Sequence, residues 1–191
     1  MTAEPAGSVP SPAADTIIGL GGNDDIDGGG GADTISGGTG NDTITAAASG
    51  GTVHGDAGSD TITIRQTTDD VAGTFYGDAD NDSMTFSTWS DSANRPVGTL
   101  AMHGGAGADR MTGTATISDD VTGLTINKYG EDGDDRLEAL RVSHFPTPIL
   151  TKKAATTTCM AAPAMTHNGS WGRRTALSRL QTRVWIRSKP T

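Results

Sequence analysis

Several things are scarce in this chain. No stretch of 18 apolar residues occurs, so no membrane-spanning helix is expected. A single cysteine, Cys159, excludes an intrachain disulfide framework. Aromatic residues make up only 4% of the chain, too few large side chains for an ordinary layered core. The first residues, MTAEPAGSVPSPAAD, have neither a basic start nor an apolar run, so a cleaved secretory signal is not expected. Cys and His do not cluster, which argues against zinc, and no H-E-x-x-H, G-x-S-x-G or phosphate-loop pattern occurs.

Charge is missing by region. Residues 1–140 hold all 23 acidic residues and five basic ones, a net charge of −18, whereas residues 141–191 hold no acid and carry +9. The two parts are therefore read separately: a segment over 1–14 expected to be disordered, a repeat domain over 15–140, and a basic tail over 141–191, mostly without regular structure.

What is abundant is glycine, 27 residues, and it recurs in phase. Residues 28–45 read GGGGADTIS-GGTGNDTIT, two nine-residue units end to end. Ile17, Ile26, Ile35, Ile44, Val53, Ile62 and Val71 stand nine apart, and Asp stands two residues earlier in every unit but the one at Gly51. A glycine-rich linker does not hold that phase. Beyond residue 71 the spacing stretches, yet HGDAGSDTIT (54–63), YGDADNDSMT (76–85), HGGAGADRMT (103–112) and YGEDGDDRLE (129–138) still align without gaps. Their longer spacing predicts one full coil with extra loop residues on the opposite side.

Each unit combines a sharp glycine turn with a short polar-apolar-polar, β-prone stretch. One inward aliphatic per stretch fills a thin interior, and each strand pairs in parallel with the strand one coil away. The expected fold is all-β, a flattened right-handed parallel β-roll with turns on two edges. Asp24, Asp42 and Asp60 share one edge, which Asp82, Asp109 and Asp135 extend; Asp15, Asp33 and Asp69 fall on the other. Coils lie roughly 4.8 Å apart, so a column of carboxylates repels itself unless cations sit between the turns. Ca²⁺, with about 6–8 oxygen ligands and tolerant geometry, suits such turns better than Mg²⁺.

The units GGGGADTIS and GGTGNDTIT, and GLGGNDDID with Leu20 in the second place, resemble the G-G-x-G-x-D-x-U-x nonapeptide of the RTX, or haemolysin-type calcium-binding, repeats. The resemblance spans residues 15–138. It implies a β-roll whose turns bind Ca²⁺, export from a bacterium by type I secretion machinery, and folding outside the cell. It also implies the ligands: Asp24, Asp33, Asp42, Asp60, Asp82, Asp109 and Asp135, with turn carbonyls in the loops that open at Gly19, Gly37, Gly55, Gly77, Gly104 and Gly130. The turns AAASGG (46–51) and IRQTTD (64–69) lack the glycine pattern, so calcium is expected mainly along the first edge.

No catalytic residue is expected, because the carboxylates occupy repeated positions whereas a catalytic pair needs one distinctive environment. His54 and His103 share their slot with Tyr76 and Tyr129, which points to packing or turn capping. Two alternatives are an adhesin or polysaccharide-binding module and an accessory fragment of a secreted RTX protease, lipase or toxin; only some 14 residues precede the repeats. A regular face of exposed aromatic or basic side chains, which would favour the binding module, is not visible in residues 15–140. A monomer is expected, with no nucleic-acid partner. The tail leaves two readings open. It is a basic arm, or the product of a slipped reading frame: the shifted codons across Cys159–Thr166 encode [Tyr/His]-Gly-x-x-(Gly)-x-Asp, the unit found four times upstream.

Overall fold

The computed structural model describes residues 11–90, 94–117, 123–144, 156–160 and 180–183. Segment 1–10 and most of the basic tail, including the apolar spacing from Leu177 to Val184, lie outside the described residues. The described residues are strands and turns, with no helix.

Successive strands alternate between two parallel sheets. One contains β1 (Thr16–Ile18), β3 (Thr34–Thr39), β5 (Ser49–Ala57), β7 (Asp70–Ala79), β9 (Val97–Ala106) and β11 (Leu124–Asp132), side by side in that order. The other contains β2 (Asp25–Asp27), β4 (Thr43–Ala47), β6 (Thr61–Arg65), β8 (Ser83–Ser90), β10 (Arg110–Ile117) and β12 (Arg136–Leu137). Each coil thus gives one strand to each sheet, the arrangement of a parallel β-roll. The sheets do not close into a barrel.

Register explains the period. In the first sheet Ile17 pairs with Ile35, Ile35 with Val53, Val53 with Phe75, Phe75 with Met102 and Met102 with Lys128. In the second, Ile26, Ile44, Ile62, Met84, Met111 and Leu137 form the matching column. Side chains alternate faces along a strand, so both columns point inward and form one continuous core.

Two expectations about spacing change here. Val71 is buried, but it pairs with Gly98; the place below Val53 belongs to Phe75. The nine-residue phase therefore ends at Ile62. The inserted residues also do not all become loop. Strands grow from three residues in β1 and β2 to eight to ten in β7 to β11, and a second inward column, Ala46, Ile64 and Phe86, widens the core.

At the far end, Lys128 takes the core position of the first column with its side chain fully buried. Its Nζ donates to the carbonyls of Glu138 (2.7 Å) and Met111 (3.3 Å). The strand β13 (Arg141–His144) pairs with β10, β14 (Thr156–Met160) continues the first sheet beside β11, and β15 (Leu180–Arg183) pairs antiparallel with β14. At the other end, Ser11 bridges to Gly29.

Candidate metal centre

Six turns stack on one edge of the roll: 19–24, 37–42, 55–60, 77–82, 104–109 and 130–135. Each reverses the chain with two left-handed residues, at its second and fourth places. Leu20, Gly38, Asp56, Asp78, Gly105 and Glu131 fill the second, and Gly22, Gly40, Gly58, Asp80, Gly107 and Gly133 the fourth. At Gly40 and Gly58 the chain also passes too close for a side chain: a β-carbon there would collide with the carbonyl of Gly22 or Gly40 one coil away.

The sixth place holds the carboxylates. Each but Asp24, the first in the column, uses one oxygen to tie two coils together. The backbone N–H of Asp24 donates to Asp42 Oδ1 (2.8 Å), Asp42 to Asp60 (2.7 Å), Asp60 to Asp82 (2.8 Å), Asp82 to Asp109 (2.8 Å) and Asp109 to Asp135 (3.0 Å). The other oxygen has no such partner. Oδ2 of Asp24, Asp42, Asp60, Asp82, Asp109 and Asp135 is buried without a hydrogen bond, and so is Oδ2 of Asp33 on the opposite edge. These seven are the aspartates carried over from the repeat motif.

The first-place glycines face those oxygens. A β-carbon on Gly37 would lie 2.5 Å from Asp42 Oδ2 and 2.8 Å from the carbonyl oxygen of Gly55 in the next coil. The same pairing meets Gly19, Gly55, Gly77 and Gly104, while Gly130 faces Asp135 Oδ2. An aligned row of buried carboxylate and carbonyl oxygens with unused lone pairs is the donor set of a hard, oxygen-seeking cation. The residues fit Ca²⁺, and the sixth-place column itself contains no thiol or imidazole.

Electrostatics agree. Burial pushes the Asp60 carboxyl up to about 6 and Asp82 up to about 7, with neighbouring carboxylates adding to the rise. Asp42 and Asp109 are also raised, by burial first and by an adjacent carboxylate second. A stack of carboxylates that resists ionisation is one that lacks compensating positive charge.

The opposite edge carries this geometry once. Asp33 accepts from the Asp15 N–H (2.9 Å), and its carboxyl is raised by burial. Asp69, by contrast, is exposed and accepts from the Arg95 N–H (3.1 Å). The turns at 46–51 and 64–69 bring no buried unpartnered carboxylate to this edge.

Two further features run along the stack. One is a second ladder at the fifth place: Asn23 Oδ1 accepts from the Asn41 N–H, Asn41 Oδ1 from the Ser59 N–H, and Asn81 Oδ1 from the Ala108 N–H. It runs in the opposite sense to the Asp ladder, and the recurring Asn-Asp pair is its signal. The other is a column of rings on the outer face of the first sheet. His54, Tyr76, His103 and Tyr129 stack with centroids 4.6, 4.8 and 4.5 Å apart. Their shared slot in the sequence pointed to packing, and they pack on one another, each ring only partly exposed. Beside it, His54 Nδ1 meets Asp78 Oδ2 and His103 Nδ1 meets Glu131 Oε1, both at 2.8 Å.

An RTX calcium-binding nonapeptide-repeat family model matches the chain in four copies, over residues 11–44 and 102–115. No curated protein and no solved structure matches it. The nine-residue phase is lost within the stretch between the matched segments, after Ile62.

Proposed function

Because the chain carries RTX calcium-binding repeats, we propose that it is a calcium-folded structural module that works outside the cell and has no catalytic activity of its own. The observation that carries this reading is the row of buried Asp Oδ2 atoms without hydrogen-bond partners, each beside a glycine turn. Asp24, Asp42, Asp60, Asp82, Asp109 and Asp135 would hold the ions along the first edge, with carbonyl oxygens of Gly37, Gly55, Gly77, Gly104 and Gly130 close by; Asp33 would serve the second edge. When bound, Ca²⁺ supplies positive charge that lets neighbouring carboxylates ionise together.

The net charge of −18 in residues 1–140 opposes compaction of the metal-free chain. Binding free energy then becomes folding free energy. Calcium is scarce inside cells and abundant outside, so the chain would stay unfolded during export and fold afterwards. RTX repeats typically occur in secreted proteins, which supports type I export and an extracellular location. The equivalence of the carboxylate environments along the column supports a structural rather than catalytic use.

The aromatic column does not favour a polysaccharide platform. Its rings stack face to face along the roll, so they present edges outward, whereas sugar platforms present ring faces.

Calcium titration of the full chain, followed by far-ultraviolet circular dichroism, tests the proposal. Ca²⁺ at roughly 0.1–1 mM, the range of extracellular modules, is expected to raise β-sheet signal cooperatively, and Mg²⁺ is not. Identical spectra in chelator and in calcium would overturn it.

A further inference from the structure

We propose that His54, Asp56 and Asp78 form a second kind of metal site, on the outer face of the first sheet, that takes a first-row divalent transition ion rather than calcium. β5 supplies His54 and Asp56, and β7 supplies Asp78. One donor atom from each lies within 4.8 Å of the other two. Two donors on a single ion, at bond lengths of roughly 2.0–2.2 Å, stand about 3–4 Å apart, so small side-chain rotations close the set. His54 Nδ1 already stands 2.8 Å from Asp78 Oδ2.

The ligands are held in place. The His54 ring lies 7° from parallel with Tyr76, which fixes the imidazole plane. Ser36 Oγ donates to Asp56 Oδ2, the type of outer hydrogen bond that orients a ligating carboxylate. The remaining positions on the ion fall to water, since all three residues are partly exposed.

The donor set selects the ion. An imidazole nitrogen with two carboxylates suits Zn²⁺, Co²⁺ or Ni²⁺, whereas Ca²⁺ asks for more oxygens and has them in the turn column. The roll also contains its own control. Two coils further on, His103 meets Glu131 Oε1 at 2.8 Å, but Gly105 stands two residues after His103, where Asp56 follows His54. That pair has one donor fewer. The proposed site lies on the strand pair β5 and β7, past the register shift between Ser49 and Thr52, so a bound ion would pin the two coils that flank the first break in the repeat. The site shares none of the sixth-place aspartates, although Asp56 and Asp78 stand at the second place of two of the same turns and their charges help to raise Asp42, Asp60 and Asp82; cobalt absorption reads it separately from the calcium-induced circular dichroism.

The test is Co²⁺ titration of the calcium-saturated full chain, read by visible absorption and reversed by Zn²⁺. A single equivalent of Co²⁺ is expected to bind. His54→Tyr keeps a ring in the column, as Tyr76 and Tyr129 do, and removes Nδ1; Asp56→Asn removes one charge. Each is expected to weaken Co²⁺ at least about tenfold, and in His54→Tyr the calcium-induced circular dichroism stays unchanged. His103→Tyr is expected to leave Co²⁺ binding intact. The proposal is overturned by absence of a cobalt band, by equal affinity in His54→Tyr and wild type, by equal loss in His103→Tyr, or by displacement of Co²⁺ with added calcium.

Discussion

Each turn aspartate divides its labour between its two oxygens. Oδ1 accepts a backbone N–H from the preceding coil, and Oδ2 is left for a cation. Asp60→Asn keeps an amide oxygen for the Asp42 N–H but removes the charge. Its calcium midpoint is expected to rise about tenfold or more, since ligand charge sets affinity in such sites. Asp69→Asn is expected to shift it by less than about twofold, because Asp69 is exposed and outside the column. Equal shifts in the two variants would refute the division into edges. Proton linkage gives a second outcome. Asp60 at about 6 and Asp82 at about 7 hold protons in the metal-free roll that the unfolded chain has already released above its carboxylate value of 3.8. Stability of the metal-free roll is therefore present at acid pH and falls as pH rises from about 4 through about 7. Calcium needs the ionised form, so its affinity rises over the same interval. Circular dichroism in chelator should decline from pH 5 to pH 8 while the calcium midpoint tightens; parallel movement of the two would contradict the linkage. These aspartates were legible in the sequence because a period marks them. The His54, Asp56 and Asp78 set was not, because those residues come together only through the register of two coils.

Strand length is where sequence and structure part. Units of nine fix both the face and the partner of each residue from Ile17 to Ile62, since 18 residues make one coil and the side-chain alternation is kept. After Ile62 a coil has 22, then 27, then 26 residues between turn glycines. Many of the extra residues join the ladder, because backbone groups buried between coils need partners and the neighbouring strand supplies them. Val71 looked like the next member of the column for that reason alone. Lys128 was equally hidden: its position is apolar in every earlier coil, and the carbonyls of Met111 and Glu138 at the open end receive its amine there. Lys128→Ala is expected to cost about 2–5 kcal/mol in urea unfolding of the calcium-loaded chain, from the cavity and the two abandoned carbonyls. Lys128→Met should cost less, because it refills the volume with the side chain used at Met102. Equal destabilisation by both would mean that the amine, not the packing, holds the end.

A roll contacts only its neighbours from coil to coil, so its ends decide whether it frays. Here the far end is covered by Leu140, which is buried against the core, and by Glu138, whose carboxylate meets Arg110, Arg136 and Arg141 at 2.8–3.1 Å. Beyond them the chain changes character from −18 to +9. The backbone of β14 still takes the place of a seventh coil in the first sheet, with Met160 paired to Tyr129. In the slipped reading frame the codon across Cys159 and Met160 encodes Tyr or His, the residue that the ring column would place there. If a repeat once stood in that position, the present tail adds strands without adding carboxylates, and the calcium response should reside upstream. Truncation after His144 keeps every turn aspartate, Leu140 and the Glu138 cluster. Its calcium midpoint is expected within about twofold of the full chain, since distant, independent parts contribute additively. Truncation after Arg136 removes Leu137, Leu140 and the Glu138 carbonyl that receives Lys128, so the last coil opens. Its calcium transition should broaden and shift to higher calcium, with the loss concentrated at Asp109 and Asp135 in hydrogen exchange. Loss of the calcium response on truncation after His144 would show instead that the tail is part of the folding unit, and the slipped-frame reading would fall with it.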